Sequence, residues 1–281
     1  MILPGSRSQP LAARIAETLD EPIADVGYDR FPDGERILSA PDLGDDVTVV
    51  ASTPTDGALV ELLQLLDVCR DVDDLALVLP YMGYARQDDA FADGEPVTAR
   101  AVARALEGPD RVLTVDVHEP GVLDWFDAAG EDVSAAPVLA DAVAGRVGAD
   151  ADPVVVAPDA GAASMAAAVA EIHGWSHDHM RKERLSGDEV QVAPPESDVD
   201  GRVTVLVDDI VATGGTMSEA TARLLDAGAE AVHAACVHPV FARNAVTRMH
   251  RAGVDSILAT DTLPSTVDRV SVAPVVADAL R

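Results

Sequence analysis

Two adjacent carboxylates and a glycine-rich turn follow one apolar run of the sequence. In VTVLVDDIVATGGTMSEA, residues 203–220, Asp208 and Asp209 end a predicted strand, and the turn from Thr213 to Thr216 opens a predicted helix. Glycines let backbone N–H groups approach an anion, threonine hydroxyls add donors, and a helix N-terminus attracts negative charge. We therefore predict a phosphate site at the turn, and contacts to hydroxyl groups or a hydrated cation at the carboxylates. An ordinary helix N-cap with a glycine turn is the alternative.

The sequence contains a single lysine. Of its 20 Lys and Arg residues, 19 are Arg, and the exception, Lys182, lies two positions before Arg184 in the polar stretch MRKERLSGDEVQV. Alternate residues of an extended segment point to the same side. Charged runs usually face water, so a solvated cluster is one interpretation. An ammonium is a compact point charge that a planar guanidinium does not replace, and the retention of one lysine therefore favours a chemical role.

Several histidines and one further carboxylate are candidate metal ligands. His118 in RVLTVDVHEPG and Asp159 in VVVAPDAGA each follow a predicted strand. From residue type alone, an isolated histidine is more often structural than a ligand. His173, His177 and His179 in HGWSHDH have neither the spacing of one helix face nor that of a zinc site, so we interpret them as surface side chains.

The elements that must position these side chains alternate between strands and helices. Runs such as VTVV, LALVLP, RVLTVDV, PVVVAP and VTVLVDD are continuously apolar, which is typical of parallel strands covered on both faces. Helices are predicted at Pro10–Leu19, Ala58–Leu66, Pro96–Leu106, Pro137–Val147, Ala162–Ile172 and Met217–Ala227. This pattern predicts an α/β fold with ligands at the carboxyl ends of the strands.

The second half of the sequence repeats the first. Residues 2–17 match residues 156–171 at an offset of 154, and the segment from Val47 matches the segment from Val203 at an offset of 156. A third match, in the same order, relates 75–87 to 234–244. Three ordered matches at a nearly constant offset indicate a duplication. We therefore predict two domains, 1–147 and 148–281.

The composition is strongly acidic. The 49 Asp and Glu residues against 20 Lys and Arg give a formal net charge of −29, and Asp outnumbers Glu by 35 to 14. Duplex nucleic acid and anionic membranes both require a basic surface, so neither is an expected partner. With 48% hydrophobic residues, the chain can still bury a core. Such compositions are typical of halophiles, whose concentrated salt shortens the Debye length to about 3 Å or less; an acidic mesophilic protein is the alternative.

Two cysteines and the N-terminal residues bear on the cellular compartment. Cys69 and Cys236 lie far apart in apolar contexts, which favours core thiols in a reducing compartment. A single disulfide between them is the alternative. No apolar run approaches the roughly 18 residues of a membrane span, and residues 1–10 lack the apolar segment of a signal peptide. We expect a soluble, cytoplasmic protein.

The turn at residues 213–216 resembles the phosphoribosyl-binding loop shared by phosphoribosyltransferases and ribose-phosphate pyrophosphokinases. The first half favours the second family, because it contains an FPDGE element at residues 31–35 and a YARQD element at residues 84–88. The whole chain is similar to the shorter, archaeal type of ribose-phosphate pyrophosphokinase. This resemblance implies two tandem phosphoribosyltransferase-like domains, each a mainly parallel sheet flanked by helices.

The resemblance also implies roles for individual residues. Nucleotide contacts would come from Phe31, which would stack on adenine, and from Asp33, Glu35, Arg86, Gln87 and Asp88. Ribose 5-phosphate contacts would come from Asp208, Asp209, Thr213, Gly214, Gly215 and Thr216. Mg²⁺ would be held by His118 and Asp159, and Lys182 and Arg184 would lie on a catalytic loop that closes over the polyphosphate.

The implied reaction is the transfer of pyrophosphate from ATP to the anomeric hydroxyl of ribose 5-phosphate, giving AMP and 5-phosphoribosyl 1-pyrophosphate for nucleotide biosynthesis. In the family the nucleotide contacts come from opposite sides of a dimer, so self-association is implied. One alternative is a phosphoribosyltransferase, against which FPDGE, YARQD and the Lys182 segment argue. The other is a catalytically inactive regulatory phosphoribosyl-binding protein, which the retention of His118, Lys182 and Arg184 disfavours.

Overall fold

The computed structural model describes residues 1–148, 151–186 and 189–281. They form two compact units, the first comprising Met1–Ser134, Thr262–Pro264 and Ser271–Arg281, and the second Ala135–Asp261 and Ser265–Val270. The helices are α1 (Gln9–Leu19), α2 (Asp56–Val68), α3 (Thr98–Ala105), α4 (Ala136–Val147), α5 (Ala163–His173), α6 (Gly215–Asp226), α7 (Ala245–Ala252) and α8 (Ala273–Leu280). The strands are β1 (Ile2–Pro4), β2 (Gly27–Arg30), β3 (Arg36–Ser39), β4 (Asp46–Val50), β5 (Asp74–Leu79), β6 (Arg111–Val115), β7 (Ala129–Val133), β8 (Val154–Ala157), β9 (Ser176–His179), β10 (Arg181–Ser186), β11 (Glu189–Ala193), β12 (Val203–Ile210), β13 (Ala231–His238), β14 (Ser256–Thr260) and β15 (Asp268–Val270).

Five parallel strands form the sheet of the first unit, in the order β1-β4-β5-β6-β7. The central strand β5 is buried from Leu75 to Leu79, as expected for a parallel strand covered on both faces. Leu3, Leu62 and Leu77 belong to the core around it. Because all five strands run in one direction, the loops after β4, β5 and β6 meet at the same edge.

Six parallel strands form the sheet of the second unit, in the order β15-β14-β13-β12-β8-β9. Every residue of β8 is buried, and Val156, Leu206 and Val232 belong to the core. The loops after β8, β12 and β13 again share one edge, which is where an open parallel sheet binds its ligands.

The two sheets have the same topology. Counted from the first strand of each unit, the spatial orders are β1-β4-β5-β6-β7 and β8-β12-β13-β14-β15, with β9 added beside β8. Helices α1 and α5 follow the first strands, and α2 and α6 follow β4 and β12. The shared order confirms the α/β fold and the internal duplication predicted from the repeated segments.

Each unit inserts an antiparallel hairpin between the helix that follows its first strand, α1 or α5, and the strand that pairs with this first strand, β4 or β12. In the first unit β2 pairs with β3, and the residues that join them are FPDGE. In the second unit β10 pairs with β11, from Arg181 opposite Ala193 to Ser186 opposite Glu189. The FPDGE segment and the segment with Lys182 and Arg184 therefore occupy equivalent places in the two units.

The compact units differ from the halves 1–147 and 148–281 that the sequence suggested. Helix α4 belongs to the second unit, where it packs against α5, β13 and β14. Helix α8 belongs to the first unit, where it packs against α1 and β7. Each helix buries an apolar face in its unit, formed in α4 by Leu139 and Val143 and in α8 by Val276 and Ala277.

Both cysteines are free and buried, which confirms their interpretation as core thiols. Burial raises the pKa of Cys69 to about 11, and burial followed by nearby carboxylates raises the pKa of Cys236. Within the described ranges, no helix combines the length and the apolar composition that a membrane span requires.

Candidate active site

Three carboxylates lie at the carboxyl edge of the second sheet. Asp159 follows β8, and Asp208 and Asp209 lie near the end of β12, which pairs with β8 in parallel. Burial, and then the charges of Asp209 and Asp159, raise the pKa of Asp208 to about 8. A cation at this edge would relieve the repulsion between the carboxylates, and carboxylate oxygens are donors that suit Mg²⁺.

Local hydrogen bonds orient these carboxylates. One oxygen of Asp159 accepts a hydrogen bond from the N–H of Gly161 at 2.9 Å, and one oxygen of Asp209 accepts from the N–H of Ile210 at 2.8 Å. Throughout the described part of the chain, no three His, Cys, Asp or Glu side chains are arranged as a complete metal-binding group. Mg²⁺ does not require one, because it retains water and takes phosphate oxygens from substrates. The donors fit Mg²⁺ as part of such a mixed shell.

The glycine-rich turn directly precedes α6. Gly214 is the N-cap residue and has a left-handed backbone with φ of +67°. A Cβ at this position would lie 3.0 Å from the carbonyl oxygen of Ala245 at the start of α7. Thr213 and Thr216 are exposed on either side of the two glycines. The first N–H groups of α6 have no partner within the helix, and the turn can present them to an anion.

A cation that the sequence patterns did not indicate lies beside the turn. Arg248 of α7 is so near to Gly215 that a Cβ on this glycine would lie 3.2 Å from the Nη1 atom of the arginine. The side chain is exposed to solvent. Only the packing of α7 against α6 brings it here, and no local motif in TRMHR distinguishes it from a surface charge.

The loop after β5 in the first unit is fitted closely to the loop after β4. A Cβ on Gly83 would lie 2.1 Å from the carbonyl oxygen of Thr53, so only glycine fits this position. Tyr84 has a φ of +67° and donates a hydrogen bond to Asp56 at 2.5 Å. The next residues in the chain are the predicted nucleotide contacts, of which Arg86 and Gln87 are exposed and Asp88 is half-buried.

His118 lies on a turn that β7 holds in place. One carboxylate oxygen of Asp132 accepts hydrogen bonds from the N–H of Val117 at 3.0 Å and from the hydroxyl of Thr114 at 2.6 Å. Asp116 has a φ of +39° and donates its N–H to a β7 carbonyl at 3.0 Å. Burial raises the pKa of Asp132. The turn leaves His118 exposed at the same sheet edge as the loop after β5.

The FPDGE residues form the turn of the hairpin β2–β3. Phe31 and Glu35 close the turn through a backbone hydrogen bond of 2.9 Å, and Asp33 accepts from the N–H of Glu35 at 3.2 Å. Gly34 has a φ of +95°. Phe31 is 47% exposed, so a large apolar residue faces solvent within this turn.

Lys182 and Arg184 are alternate residues of β10, opposite Val192 and Val190 of β11. Their side chains lie outside the described part of the structure, so their predicted catalytic roles stay predictions. Of the three histidines upstream, His173 contacts Asp141 at 3.0 Å, and its ring lies 4.7 Å from that of Trp175. His177 is exposed, and Nδ1 of His179 lies 3.6 Å from a carboxylate oxygen of Asp178.

Comparison with known proteins identifies the family. Residues 1–108 match the model for the N-terminal domain of ribose phosphate pyrophosphokinase, and residues 138–273 match the phosphoribosyl transferase domain. The ribose-phosphate pyrophosphokinase of Methanopyrus kandleri is 47% identical, with 100% of this chain and 98% of the relative covered. That of Halobacterium salinarum is 49% identical, with 100% of both covered. The chain belongs to the ribose-phosphate pyrophosphokinase family.

A solved structure of a family member agrees with this assignment. Phosphoribosylpyrophosphate synthetase from Mycobacterium smegmatis superposes with a TM-score of 0.88 at 29% identity, covering 100% of this chain and 97% of the other. The match to the N-terminal pyrophosphokinase domain includes the FPDGE and YARQD elements, and the phosphoribosyl transferase match includes Asp159 and the turn before α6. His118 lies between the two matched ranges.

Proposed function

We propose that the protein transfers pyrophosphate from ATP to the anomeric hydroxyl of ribose 5-phosphate, giving 5-phosphoribosyl 1-pyrophosphate and AMP. One observation supports this above all: this chain contains two separate sets of candidate site residues. The second unit carries the glycine-rich turn and three carboxylates, and the first unit carries the FPDGE hairpin and the YARQD loop. The first set suits a phosphorylated sugar, and the second set adds a separate group of nucleotide contacts.

Ribose 5-phosphate would bind at the carboxyl edge of the second sheet. The N–H groups of the turn and the hydroxyls of Thr213 and Thr216 would hold the 5-phosphate, and the guanidinium of Arg248 would add a positive charge beside it. Asp208 and Asp209 would accept hydrogen bonds from the ribose hydroxyls. In this proposal the sugar would lie between its phosphate site and the carboxylates.

ATP would bind through the first unit. Phe31 offers an exposed ring for stacking on adenine, with Asp33 and Glu35 nearby in the same turn, and further contacts would come from Arg86, Gln87 and Asp88. We propose that two copies of the chain share each nucleotide site, as the family resemblance implies. We propose a cytoplasmic location, a reducing compartment that the two free thiols fit.

The reaction requires alignment more than covalent help from the protein. The anomeric oxygen forms a bond to the β-phosphorus while the bond from this phosphorus to the α,β-bridging oxygen breaks. AMP leaves with the electron pair, and the proton of the anomeric hydroxyl is released to solvent. Lys182 and Arg184 would stabilise the negative charge that spreads over the transferred group. Asp159 and His118 are the proposed Mg²⁺ ligands, and Mg²⁺, when bound, would supply further charge neutralisation.

One assay separates this function from its alternatives. Purified protein in concentrated KCl receives ATP, Mg²⁺ and ribose 5-phosphate, and AMP is measured. AMP that forms only when ribose 5-phosphate is present is the expected result. A folded protein that makes no AMP contradicts the proposal. Consumption of 5-phosphoribosyl 1-pyrophosphate with a base would instead indicate a phosphoribosyltransferase, and binding without turnover would indicate a regulatory protein.

A further inference from the structure

Glu61 is a carboxylate buried in the middle of α2. Only 4% of the residue is exposed, and it belongs to the buried face of the helix together with Leu62 and Leu65. An ionised carboxylate in such a place is costly unless hydrogen bonds and a countercharge compensate for its lost hydration. The partners of Glu61 therefore indicate which elements this helix holds together.

Three hydrogen bonds satisfy Glu61. The N–H of Ser6 donates to Oε1 at 2.7 Å, and the hydroxyl of Ser6 donates to Oε2 at 2.8 Å. Nη1 of Arg36 donates to Oε2 at 2.5 Å, as a salt bridge. Ser6 lies in the loop after β1, and Arg36 is the first residue of β3. The carboxylate thus connects the loop after β1, helix α2 and the base of the hairpin β2–β3.

Further polar links join the hairpin to its unit. Gln64 of α2 donates to the carbonyl of Arg36 at 2.9 Å, and Tyr28 of β2 donates to the carbonyl of Pro4 at 2.5 Å. Leu38 adds an apolar contact with the core. An isolated two-stranded hairpin is only marginally stable in water, so these anchors decide the orientation in which the FPDGE turn is held.

Arg36 immediately follows Glu35, the last residue of the FPDGE turn, and lies opposite Arg30 in the ladder. Like charges that face each other across two strands destabilise the pair, and Glu61 neutralises one of them. Gly57 of α2 leaves room for the guanidinium, because a Cβ there would lie 3.1 Å from Nε of Arg36. The salt bridge is therefore enclosed at the point where the turn meets the strand.

We propose that Glu61 is a positioning residue for the nucleotide: through Arg36 it fixes the hairpin so that Phe31 is presented to adenine in one orientation. The inference rests on the proposed function of the hairpin as an ATP-binding element. Glu61 does not touch ATP itself in this arrangement. Its loss should weaken ATP binding without a matching effect on ribose 5-phosphate, whose proposed contacts lie in the second unit.

Glu61→Gln tests the proposal, since glutamine keeps the shape and its one carbonyl oxygen can still accept from the N–H of Ser6. The NH₂ group that then replaces Oε2 has neither charge nor acceptor for Arg36. We expect the KM for ATP to rise about tenfold, which corresponds to the loss of one charge-assisted hydrogen bond, while the KM for ribose 5-phosphate stays at the wild-type value. Arg36→Gln should have the same effect, and the double variant should be no worse than the worse single variant, because both remove one interaction.

Leu66→Val is the matched control for general destabilisation of α2. Leu66 lines a cavity with Cys69 and Leu75, and no hairpin residue borders this cavity. The control should lower the melting temperature and leave the KM for ATP unchanged. If Glu61→Gln does not fold, Arg36→Gln, whose side chain is partly exposed, decides the question alone.

Two results would overturn the proposal: a KM for ATP at the wild-type value in the folded variants, or equal rises in the KM for both substrates. Wild-type protein that makes no AMP would contradict the proposed function instead. In that case isothermal titration calorimetry with ATP still compares the wild-type chain with Glu61→Gln, and equal affinities would then reject the positioning role.

Discussion

Replacing Gly214 with alanine tests the glycine-rich turn through its backbone. The residue has a φ of +67°, and an added Cβ would lie 3.0 Å from the carbonyl oxygen of Ala245 and 3.2 Å from Cγ of Met249. A left-handed backbone costs an L residue about 1–2 kcal/mol, and forced contacts in a packed region cost about 1–3 kcal/mol. The expected loss in free energy of unfolding is therefore about 2–5 kcal/mol.

Gly201→Ala is the matched control, because Gly201 has nearly the same backbone without the neighbours. Its φ is +66°, and nothing lies within 4 Å of an added Cβ. This variant should lose only the backbone cost of about 1–2 kcal/mol. The difference between the two variants measures the contact between the turn and α7.

Urea unfolding in concentrated KCl without ligands, followed by circular dichroism, measures both losses. The KM for ribose 5-phosphate is measured in parallel, and it should rise for Gly214→Ala and stay unchanged for Gly201→Ala. If Gly214→Ala is no less stable than Gly201→Ala, the close approach of the turn to α7 does not exist in solution, and the reasoning fails.

Lys182→Arg should lower kcat about a hundredfold or more, because a planar guanidinium does not reproduce one compact donor in the transition state; full activity in steady-state assays would remove the explanation for the single lysine. Arg248→Ala should raise the KM for ribose 5-phosphate about tenfold through one lost charge-assisted contact and leave the KM for ATP unchanged, whereas an unaltered KM would place Arg248 outside the site. Burial and adjacent carboxylates raise the pKa of Asp208 from 3.8 to about 8. Between these two pH values the folded state keeps a proton that the unfolded state has released. Without Mg²⁺, the free energy of unfolding should therefore fall as the pH rises through this interval. Asp208→Asn should flatten that slope in urea titrations with EDTA, and an unchanged slope would contradict the assignment.

The sequence predicted the elements whose apolar pattern is long. The six predicted helices correspond to α1 through α6, with ends that agree within two residues, and the continuous apolar runs correspond to β4, β5, β6, β8 and β12. The turn before α6 was also recognisable, since its glycines and threonines are local requirements of the backbone. These features depend on neighbouring residues alone.

Other elements left no such pattern. Strands β7 and β9, AGEDV and SHDH, lie at sheet edges, and their polar sequences match their exposed positions. Arg248 and Glu61 acquire their neighbours only when distant elements pack together, α7 on α6 and the hairpin on α2. The sequence also did not predict that α4 belongs to the second unit and α8 to the first. The apolar face of a helix shows that the helix is packed, but it does not specify the sheet it will cover.

The exchange of these two helices has a consequence for how the protein is made. Helix α8 follows every strand of the second unit in the sequence, yet its buried residues Ala273, Val276 and Ala277 pack in the first unit, against α1 and β7. Domains of a growing chain generally fold in the order of their synthesis. Here the first unit cannot complete its packing until the whole second unit has left the ribosome. The unit that begins the chain is therefore the last to be finished, and loss of α8 would leave a defect in the unit that carries the FPDGE hairpin rather than in the sheet that directly precedes α8.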